Sequence, residues 1–324
     1  MEKNLKIVFF GTPKFAAIVL EKLVDAGYIP SAVVCNPDEP IGRKQILTPP
    51  PIRQRIMNYE SGIRDRIQIL QPAKLRGNME FLEQFKNLKP ELAIVAAYGK
   101  ILPKEILDIP SRGFINVHGS LLPHYRGASP IQTAILNGEK ETGVTIMEVD
   151  EEMDHGPTLA NSQWPIADSD TYESLSQKLA VLGAELLIKI LPDYISGKIK
   201  PVLQEHEKAT YTKIIKKEDG KIDWSKNAKE IERMTRAYYP WPTAWTIWRI
   251  KNLELRIKIL ESEILGNNEN YKIGEVFLTL KNELAVKCGE GALIIKKLRL
   301  EGGKILSARE FLNGHKDFIG SVLK

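Results

Sequence analysis

The sequence predicts an α/β protein with a mostly parallel sheet, followed by a small β-barrel. In the first 195 residues, short apolar runs of strand length alternate with amphipathic segments of helical length. Such alternation is typical of parallel strands joined by right-handed helical crossovers. Towards the carboxyl end, short strand patterns follow one another without long helices between them, which favours a barrel.

The individual elements follow from the apolar runs and from the turn residues between them. Strands are predicted at residues 6–10, 31–35, 92–97, 114–118 and 144–149. Helices are predicted between Pro13 and Gly27 and at residues 79–86, 131–136 and 172–190. The barrel strands are predicted at residues 257–260, 274–277, 283–286 and 292–295. With a linker over residues 196–207, the predicted domains are residues 1–195 and 208–324.

The composition is that of an ordinary globular protein and argues against several other classes. Hydrophobic residues make up 43% of the chain and charged residues 27%. No apolar run approaches the roughly 18 residues that a membrane span needs, and the run before Gly11 is too short for a signal peptide. Cys35 and Cys288 lie far apart and form no CxxC pair, which suggests neither a zinc site nor a disulfide. We therefore expect a cytoplasmic protein without a metal.

Positive charge is concentrated in the carboxyl-terminal part. Residues 206–324 contain 23 Lys and Arg against 16 Asp and Glu, whereas the rest of the chain contains 23 against 25. An excess confined to one part of a chain can form a basic surface for an anionic partner. The same lysines could instead be solvated charges that keep a small domain soluble. Charge alone leaves both interpretations open.

The segment FINVHGSLLPHYRGASP, residues 114–130, carries the clearest chemical signal. Alternation along its strand places Asn116 and His118 on one face, at the carboxyl end where parallel sheets bind ligands. Downstream, Asp154 precedes a Gly-Pro turn after the strand predicted at 144–149, and could lie in the same crevice. An amide, an imidazole and a carboxylate together suit a reaction that passes through a tetrahedral oxyanion.

Simpler explanations exist for the same residues. A histidine at a strand end is often structural, and an aspartate before a Gly-Pro turn is often only a turn former. A metal site of His118, His124 and His155 lacks the spacing of known metal motifs. No nucleophile elbow indicates a covalent acyl-enzyme. From the residues alone, the Asn/His/Asp site is a hypothesis without a known substrate.

Residues 36–51 contain five prolines and predict a long surface loop, since each proline disfavours helix in the residue before it. Long loops in compact domains are usually functional or disordered. This loop carries Arg43, and we expect it to be functional.

These motifs resemble those of the formyltransferases that use 10-formyltetrahydrofolate. The resemblance rests on NVHGSLLP at residues 116–123 with its continuation YRGASPI, on TGVT at 142–145, and on Asp154 with Gly156. RAYYPWP at 236–242 and LSAREFLNG at 306–314 resemble the C-terminal domain of the members that formylate methionyl-tRNA. VFFGTPKF at 8–15 resembles the start of those members. His155 departs from the pattern, which more often has Thr there.

The resemblance covers about residues 6–320 and implies a fold and a reaction. The fold would be a Rossmann-like formyltransferase domain followed by an OB-like barrel that binds tRNA. The reaction would transfer the formyl group of 10-formyltetrahydrofolate to the α-amino group of methionyl initiator tRNA, for translation initiation. We expect a monomer with no membrane partner.

The resemblance also assigns residues to roles. Asn116 and His118 would stabilise the oxyanion, and Asp154 would hold His118 and accept the amine proton, directly or through a water. Arg43 matches the basic residue of a mobile loop that engages the tRNA acceptor end. The folate would be cradled by residues 98–102 and by Ser120, Leu121, Leu122 and Pro123. Independently of the resemblance, the charge surplus of the second half suggests that tRNA phosphates are contacted by the lysines clustered where the chain enters it, Lys208, Lys213, Lys216 and Lys217.

Other classes fit the sequence less well. A dinucleotide-dependent oxidoreductase would share the fold, but Gly11-Thr12-Pro13 replaces GxGxxG, and Pro13 offers no N–H to a pyrophosphate. A non-catalytic RNA-binding protein would explain the basic part but not the Asn/His/Asp set. A sugar-nucleotide formyltransferase is the nearest rival, although YYPWP and the basic second half favour tRNA. A glycinamide ribonucleotide formyltransferase would not explain the additional 120 or so residues.

Overall fold

The computed structural model describes residues 5–42, 44–266 and 270–324. The strands of the amino-terminal half are β1 (Ile7–Gly11), β2 (Ala32–Val34), β3 (Glu39–Ile41), β4 (Ile46–Thr48), β5 (Gln68–Leu70), β6 (Leu92–Ala96), β7 (Phe114–His118), β8 (Arg126–Gly127), β9 (Glu141–Glu148) and β10 (Thr158–Pro165). Its helices are α1 (Lys14–Asp25), α2 (Pro51–Met57), α3 (Ser61–Arg64), α4 (Met79–Leu88), α5 (Lys104–Leu107), α6 (Pro130–Asn137) and α7 (Tyr172–Ile195).

Seven of these strands form one sheet, in the order β10-β9-β7-β6-β1-β2-β5. Pairing is parallel from β5 to β7 and antiparallel between β7 and β9 and between β9 and β10. The predicted mostly parallel sheet is confirmed, and each of the five strands predicted for this half is present. Because β9 is antiparallel to β7, the carboxyl end of β9 lies beside the amino end of β7 and not beside its carboxyl end.

The apolar runs of the sequence become strands that are buried on both faces. All five residues of β1 and all five of β6 are buried, as expected for central strands of a parallel sheet. On one face, Phe10 packs against the rings of Phe85, Tyr98 and Phe114, with centroids 5.3–5.5 Å apart. This aromatic cluster lies on the same face of the sheet as Asn116 and His118, because side chains alternate along β7 and Phe114 shares their face.

The described residues of the carboxyl-terminal half form an antiparallel sheet and two α-helices. Its strands are β11 (Tyr211–Thr212), β12 (Ala244–Ile250), β13 (Leu253–Leu265), β14 (Val276–Leu278), β15 (Leu284–Lys287), β16 (Ala292–Leu300) and β17 (Leu306–Ser307), and its helices are α8 (Ala228–Ala237) and α9 (Ala308–Gly314). The sheet order is β12-β13-β16-β15-β14, with β17 on β16, whereas β11 pairs with β8. The four predicted barrel strands lie in or overlap β13, β14, β15 and β16.

The last residues of the chain close this sheet into a barrel. Lys324 exchanges backbone hydrogen bonds of 2.9 and 3.1 Å with Ile247 of β12. Gly320 and Ser321 form backbone bonds of 2.7 and 2.9 Å with Val276 of β14, at the other end of the strand order. One segment therefore bonds to both outer strands, as full closure of a barrel requires. Between these anchors Leu323, 4% exposed, packs into the barrel core.

Contacts divide the chain into two compact units. The first comprises the described residues up to Pro130, Glu141–Pro165 and Ser176–Lys213. The second comprises Ile131–Lys140, Ile166–Leu175 and the described residues from Ile214 onwards. Two short segments of the amino-terminal half therefore belong with the barrel. The predicted domain boundaries, residues 1–195 and 208–324, stay a prediction.

Both cysteines are free and buried. Burial raises the pKa of the Cys35 thiol and of the Cys288 thiol to about 12, and a protonated thiol is a poor nucleophile and metal ligand. Within residues 5–42, 44–266 and 270–324, no group of three or more His, Cys, Asp or Glu side chains could hold a metal ion. In the same ranges, no helix has the length and apolar character needed to cross a membrane.

The closing segment yields a stability prediction. Leu323→Ala should lower the free energy of unfolding by about 2–5 kcal/mol, because it removes a fully buried side chain and leaves a cavity. Val322→Ala is the matched control, since Val322 is 45% exposed. Urea denaturation of both full-length variants measures the difference. Equal unfolding midpoints for the two variants would show that the carboxyl terminus does not contribute to the core.

Candidate active site

Strand β7 ends with two polar side chains that share one face of the sheet. His118 is 5% exposed, and its Nε2 atom lies 3.1 Å from the carbonyl oxygen of Tyr125. Because a carbonyl can only accept, this contact is a hydrogen bond only when Nε2 carries a proton. Nδ1 is then the ring nitrogen that can take up or release a proton during a reaction.

Asp154 completes a group of three polar side chains. Its Oδ1 atom lies 3.4 Å from Asn116 Nδ2 and 3.5 Å from His118 Nδ1. Its Oδ2 atom accepts a 2.7 Å hydrogen bond from the backbone N–H of Gly127. The first two contacts are long and the third is firm; long contacts of this kind often tighten when a substrate binds. The structure thus brings Asn116, His118 and Asp154 together around one carboxylate oxygen.

Asp154 arrives at this group by a route that the sequence reading missed. The strand before Asp154 was expected to end beside the carboxyl end of β7, but β9 is antiparallel to β7 and ends beside its amino end. Residues 149–157 fold back towards the site. The Glu148 N–H closes this turn by donating to the carbonyl oxygen of Pro157 at 2.9 Å. The approach is close, because a Cβ on Gly156 would collide with the carbonyl of Glu148. Asp154 itself has a left-handed backbone, with φ at 50°.

Residues 120–123, predicted to contact folate, form a loop pinned to the sheet. The buried hydroxyl of Thr145 donates to Ser120 O at 2.8 Å and accepts from Leu122 N–H at 3.1 Å. The Ser120 hydroxyl donates to His124 O at 2.6 Å. The side chains of Leu121, Leu122 and Pro123 are all half-buried. Ser120, by contrast, is 0% exposed, so its side chain serves the loop rather than its surface.

Residues 98–102 form a second loop, directly after β6. Ala97 and Gly99 both have left-handed backbones, with φ at 47° and 81°. The backbone N–H and C=O groups of residues 98–102 make no hydrogen bond to any other backbone group that the structure describes. This loop therefore presents backbone donors and acceptors that have no backbone partner among the described residues, beside the carboxyl end of β6.

Arg43, the residue predicted to bind tRNA, lies outside the described residues. The strands on either side of it, β3 and β4, form an antiparallel hairpin. Near the base of this hairpin, the Asp38 carboxylate accepts hydrogen bonds from Arg53 at 2.6 Å and from Gln71 at 2.9 Å. The hairpin also exposes the apolar side chain of Leu47.

Two buried polar residues beside the site were not predicted. Arg126 is 1% exposed and Gln204 is 7% exposed, and they hydrogen-bond to each other at 2.7 Å. Arg126 stands within the quoted motif, so a charged residue inside a Gly- and Pro-rich loop was the available signal. Gln204 lies in the predicted linker, where no sequence pattern distinguishes it.

His155, which departs from the resembled pattern, is held by two side-chain contacts. Its Nδ1 atom lies 2.7 Å from Asp150 Oδ2, and its ring stacks on His206 with centroids 4.1 Å apart. These side-chain contacts are with its own turn and with the predicted linker. Neither of them is with Asn116, His118 or the Asp154 side chain.

Most of the chain matches known formyltransferases. Residues 5–191 match the family described as "Formyl transferase", and residues 214–316 match "Formyl transferase, C-terminal domain". The methionyl-tRNA formyltransferase of Caldicellulosiruptor saccharolyticus is 45% identical over 322 residues, which is 98% of this chain and 100% of that protein. That of Enterococcus faecalis is 42% identical over 310 residues, covering 95% of this chain and 96% of that protein. The chain belongs to the methionyl-tRNA formyltransferase family.

Solved structures share the fold of this family member. An N-formyltransferase from Helicobacter canadensis, complexed with folinic acid and dTDP-3-aminofucose, aligns with a TM-score of 0.62 at 21% identity, over 90% of this chain and 98% of its own. HypX from Aquifex aeolicus, complexed with tetrahydrofolic acid, also gives 0.62 at 17% identity, over 97% of this chain and 48% of its own. At these identities the similarity shows the fold alone.

The turn that carries Asp154 gives a second stability prediction. Gly156→Ala should destabilise this methionyl-tRNA formyltransferase family member by about 1–3 kcal/mol, because the added Cβ overlaps the Glu148 carbonyl and must displace backbone. Gly62→Ala is the control, since a Cβ there meets nothing within 4 Å. Urea midpoints measure both. If Gly156→Ala is as stable as Gly62→Ala, the close approach is not a constraint.

Proposed function

We propose that this enzyme transfers the formyl group of 10-formyltetrahydrofolate to the α-amino group of methionine esterified to initiator tRNA, giving N-formylmethionyl-tRNA. The observation that carries the proposal is the convergence of Asn116, His118 and Asp154 in a chain of the methionyl-tRNA formyltransferase family. The three side chains supply a neutral donor, an imidazole and a carboxylate, which suit amine attack on a formyl carbon.

The chemistry assigns each side chain a step. As the amine nitrogen bonds to the formyl carbon, the formyl oxygen gains negative charge. Asn116 Nδ2 and a protonated His118 Nδ1 would donate to that oxygen, since both point into the space beside Asp154 Oδ1. The Tyr125 carbonyl holds the opposite edge of the imidazole, which keeps Nδ1 directed at the reacting atoms.

Asp154 would complete the proton transfer. The attacking amine must lose a proton, and the folate N10 must gain one as its bond to the formyl carbon breaks. Asp154 Oδ1 can accept the amine proton, directly or through a water, and His118 Nδ1 beside it can deliver a proton to N10. A strong base is not needed, because an α-amino group with a pKa of about 7.7–8.0 is partly neutral at pH 7.

The folate donor would lie between the two loops at the carboxyl ends of β6 and β7. Most polar backbone groups of residues 120–123 already have partners, so Leu121, Leu122 and Pro123 would supply apolar contacts. The unpaired backbone of residues 98–102 would pair with the donor–acceptor edge of the pterin. These two surfaces fit a flat, polar-edged heterocycle.

The tRNA would be held by the barrel through a cluster of cations that we call the cationic face. Its members are Lys217, Arg256, Lys258 and Arg299. Register places Trp245, Lys258 and Arg299 directly opposite one another on three adjacent strands. The Arg256 guanidinium lies 4.1 Å from the centre of the Trp245 ring, and Glu301 is the acid that contacts it, at 3.3 Å.

Four cations that share one nearby acid, Glu301, support an anionic partner for the cationic face. Burial lowers the pKa of the Lys258 amine, and Arg299 beside it lowers that pKa further. Arg299 Nε is buried with no hydrogen-bond partner in the described part of the chain. A phosphate bound beside Lys258 and the Arg299 guanidinium would offset the repulsion between these two cations.

The four lysines predicted from the sequence to contact tRNA differ in their acidic partners and in their exposure. Lys208 pairs with Glu205 at 2.5 Å on the surface, which partly neutralises it. Lys217 belongs to the cationic face, and Lys213 and Lys216 are exposed. Contacts from all four remain proposals, as do the cytoplasmic location and the monomeric state.

Catalytic variants test the proposed chemistry. Asn116→Ala, His118→Ala and Asp154→Asn should each lower kcat by about 10²–10⁴-fold, the scale for losing an oxyanion donor or an acid–base group. His124→Ala is the control, because His124 is exposed on the same loop. The assay follows formyl transfer from 10-formyltetrahydrofolate to methionyl initiator tRNA, with a UDP-aminosugar as rival acceptor. Near wild-type turnover by folded His118→Ala would refute the site, and preference for the sugar would refute the substrate.

Salt dependence tests the cationic face. A plot of log tRNA affinity against log salt concentration should have a negative slope. Lys258→Ala and Arg299→Ala should each reduce the magnitude of this slope by roughly 0.7–0.9 per lost phosphate contact. Lys281→Ala removes the same charge from the β14–β15 turn and should leave the slope unchanged. Filter binding between low and moderate salt gives the slopes. Identical slopes for all three variants would place the tRNA elsewhere.

The loop of Arg43 calls for a kinetic test. A residue that positions the acceptor end contributes mainly to productive geometry. Arg43→Ala should therefore reduce kcat/KM much more than equilibrium tRNA affinity. Lys44→Ala, its basic neighbour on the same loop, is the control. A parallel loss of affinity and kcat/KM in Arg43→Ala would make Arg43 an ordinary phosphate contact.

A further inference from the structure

The side-chain amide of Gln204 contacts both segments that hold the Asp154 carboxylate in place. Its Nε2 atom donates to the backbone carbonyls of Asp154, at 3.0 Å, and Gly156, at 2.7 Å. Its Oε1 atom accepts from Arg126, at 2.7 Å from Nη2 and 3.2 Å from Nε. One amide therefore fixes the turn of Asp154 on one side and Arg126 on the other.

These bonds close a ring through the proposed active site. The residue after Arg126 is Gly127, whose N–H donates at 2.7 Å to the carboxylate of Asp154. Starting from Gln204, the ring runs to the Asp154 carbonyl, through the Asp154 side chain to Gly127, and along the backbone to Arg126 and back. Every bond in this ring restrains where the Asp154 carboxylate can lie.

The buried guanidinium of Arg126 has its closest hydrogen-bond partner in the side-chain amide of Gln204. It is 1% exposed, and its other side-chain partners are His206 Nδ1 at 2.9 Å and Tyr211 Oη at 3.3 Å. Both are neutral acceptors when His206 Nδ1 is unprotonated, so the Gln204 oxygen supplies the closest contact to the buried charge. A buried guanidinium needs such partners.

We infer that Gln204, in the segment between the two matched families, is a positioning residue that fixes the Asp154 carboxylate for proton transfer; this rests on the proposed function. The role requires a side chain that donates at one end and accepts at the other. Glutamate of the same length accepts only, so it would keep Arg126 but face two carbonyl oxygens with a carboxylate. The segment after α7 thereby contributes to the active site and not only to the connection between units.

The experiment compares Gln204→Glu with Gln204→Met in the full-length chain. Gln204→Glu keeps a partner for Arg126 and should remain folded, whereas Gln204→Met leaves the guanidinium short of acceptors. We expect Gln204→Glu to lower kcat about 10–100-fold, the scale for a small displacement of a reacting group, with KM for both substrates within about threefold. Leu203→Ala, on the exposed neighbouring residue, should leave kcat unchanged.

A double-mutant cycle separates positioning from general damage. If Gln204 acts through Asp154, Gln204→Glu should cost less than about threefold in an Asp154→Asn background. An equal loss in both backgrounds, or a wild-type kcat for Gln204→Glu, would overturn the inference.

Hydrogen exchange gives a readout that needs no turnover. The Gly127 amide should exchange faster in Gln204→Glu than in wild type or Leu203→Ala, with the melting temperature little changed; unchanged exchange would also overturn the inference. If the wild-type enzyme fails to formylate methionyl-tRNA, the proposed function fails, while this exchange measurement still decides whether Gln204 restrains the Asp154 turn.

Discussion

The site depends on one hydrogen bond, the 2.7 Å contact between the Gly127 N–H and the Asp154 carboxylate. This bond joins the loop after β7 to the turn after β9, and both segments carry groups that face His118. Tyr125, two residues before Gly127, supplies the carbonyl for His118 Nε2, while Asp154 faces Nδ1. Without the bond, the two edges of the imidazole would be held by segments free to move independently.

The scaffold under this bond is rigid for ordinary reasons. Buried parallel strands hold β7 on one side, and the Phe10 cluster supports the face from which Asn116 and His118 project. Precise sites are best built on regular elements with locked side chains. Here the two proposed donors stand on a strand, whereas the carboxylate stands on a turn that needs Gly156 and additional bonds. The turn is therefore the part of the site with the greatest need of outside support.

That support comes from the segment that follows α7. Strand β11 pairs with β8, and Gln204 and Arg126 bond inside the first unit. The predicted linker, residues 196–207, thus contains a residue that bonds to the loop after β7, and the first unit extends to Lys213.

The sequence by itself determined the features that depend on local pattern. Apolar runs located the strands of the central sheet, and alternation placed Asn116 and His118 on one face of β7. Charge counting located the basic half. Sequence pattern did not locate β10, because its exposed and half-buried residues leave no apolar pattern. It also missed α8, for which the capping box was the available signal. Only the tertiary structure decided that β9 is antiparallel, that the turn folds back to deliver Asp154, and that Gln204 reaches it. The reason is physical: burial and alternation are written in neighbouring residues, whereas a hydrogen bond between residues 50 apart depends on how the intervening chain packs.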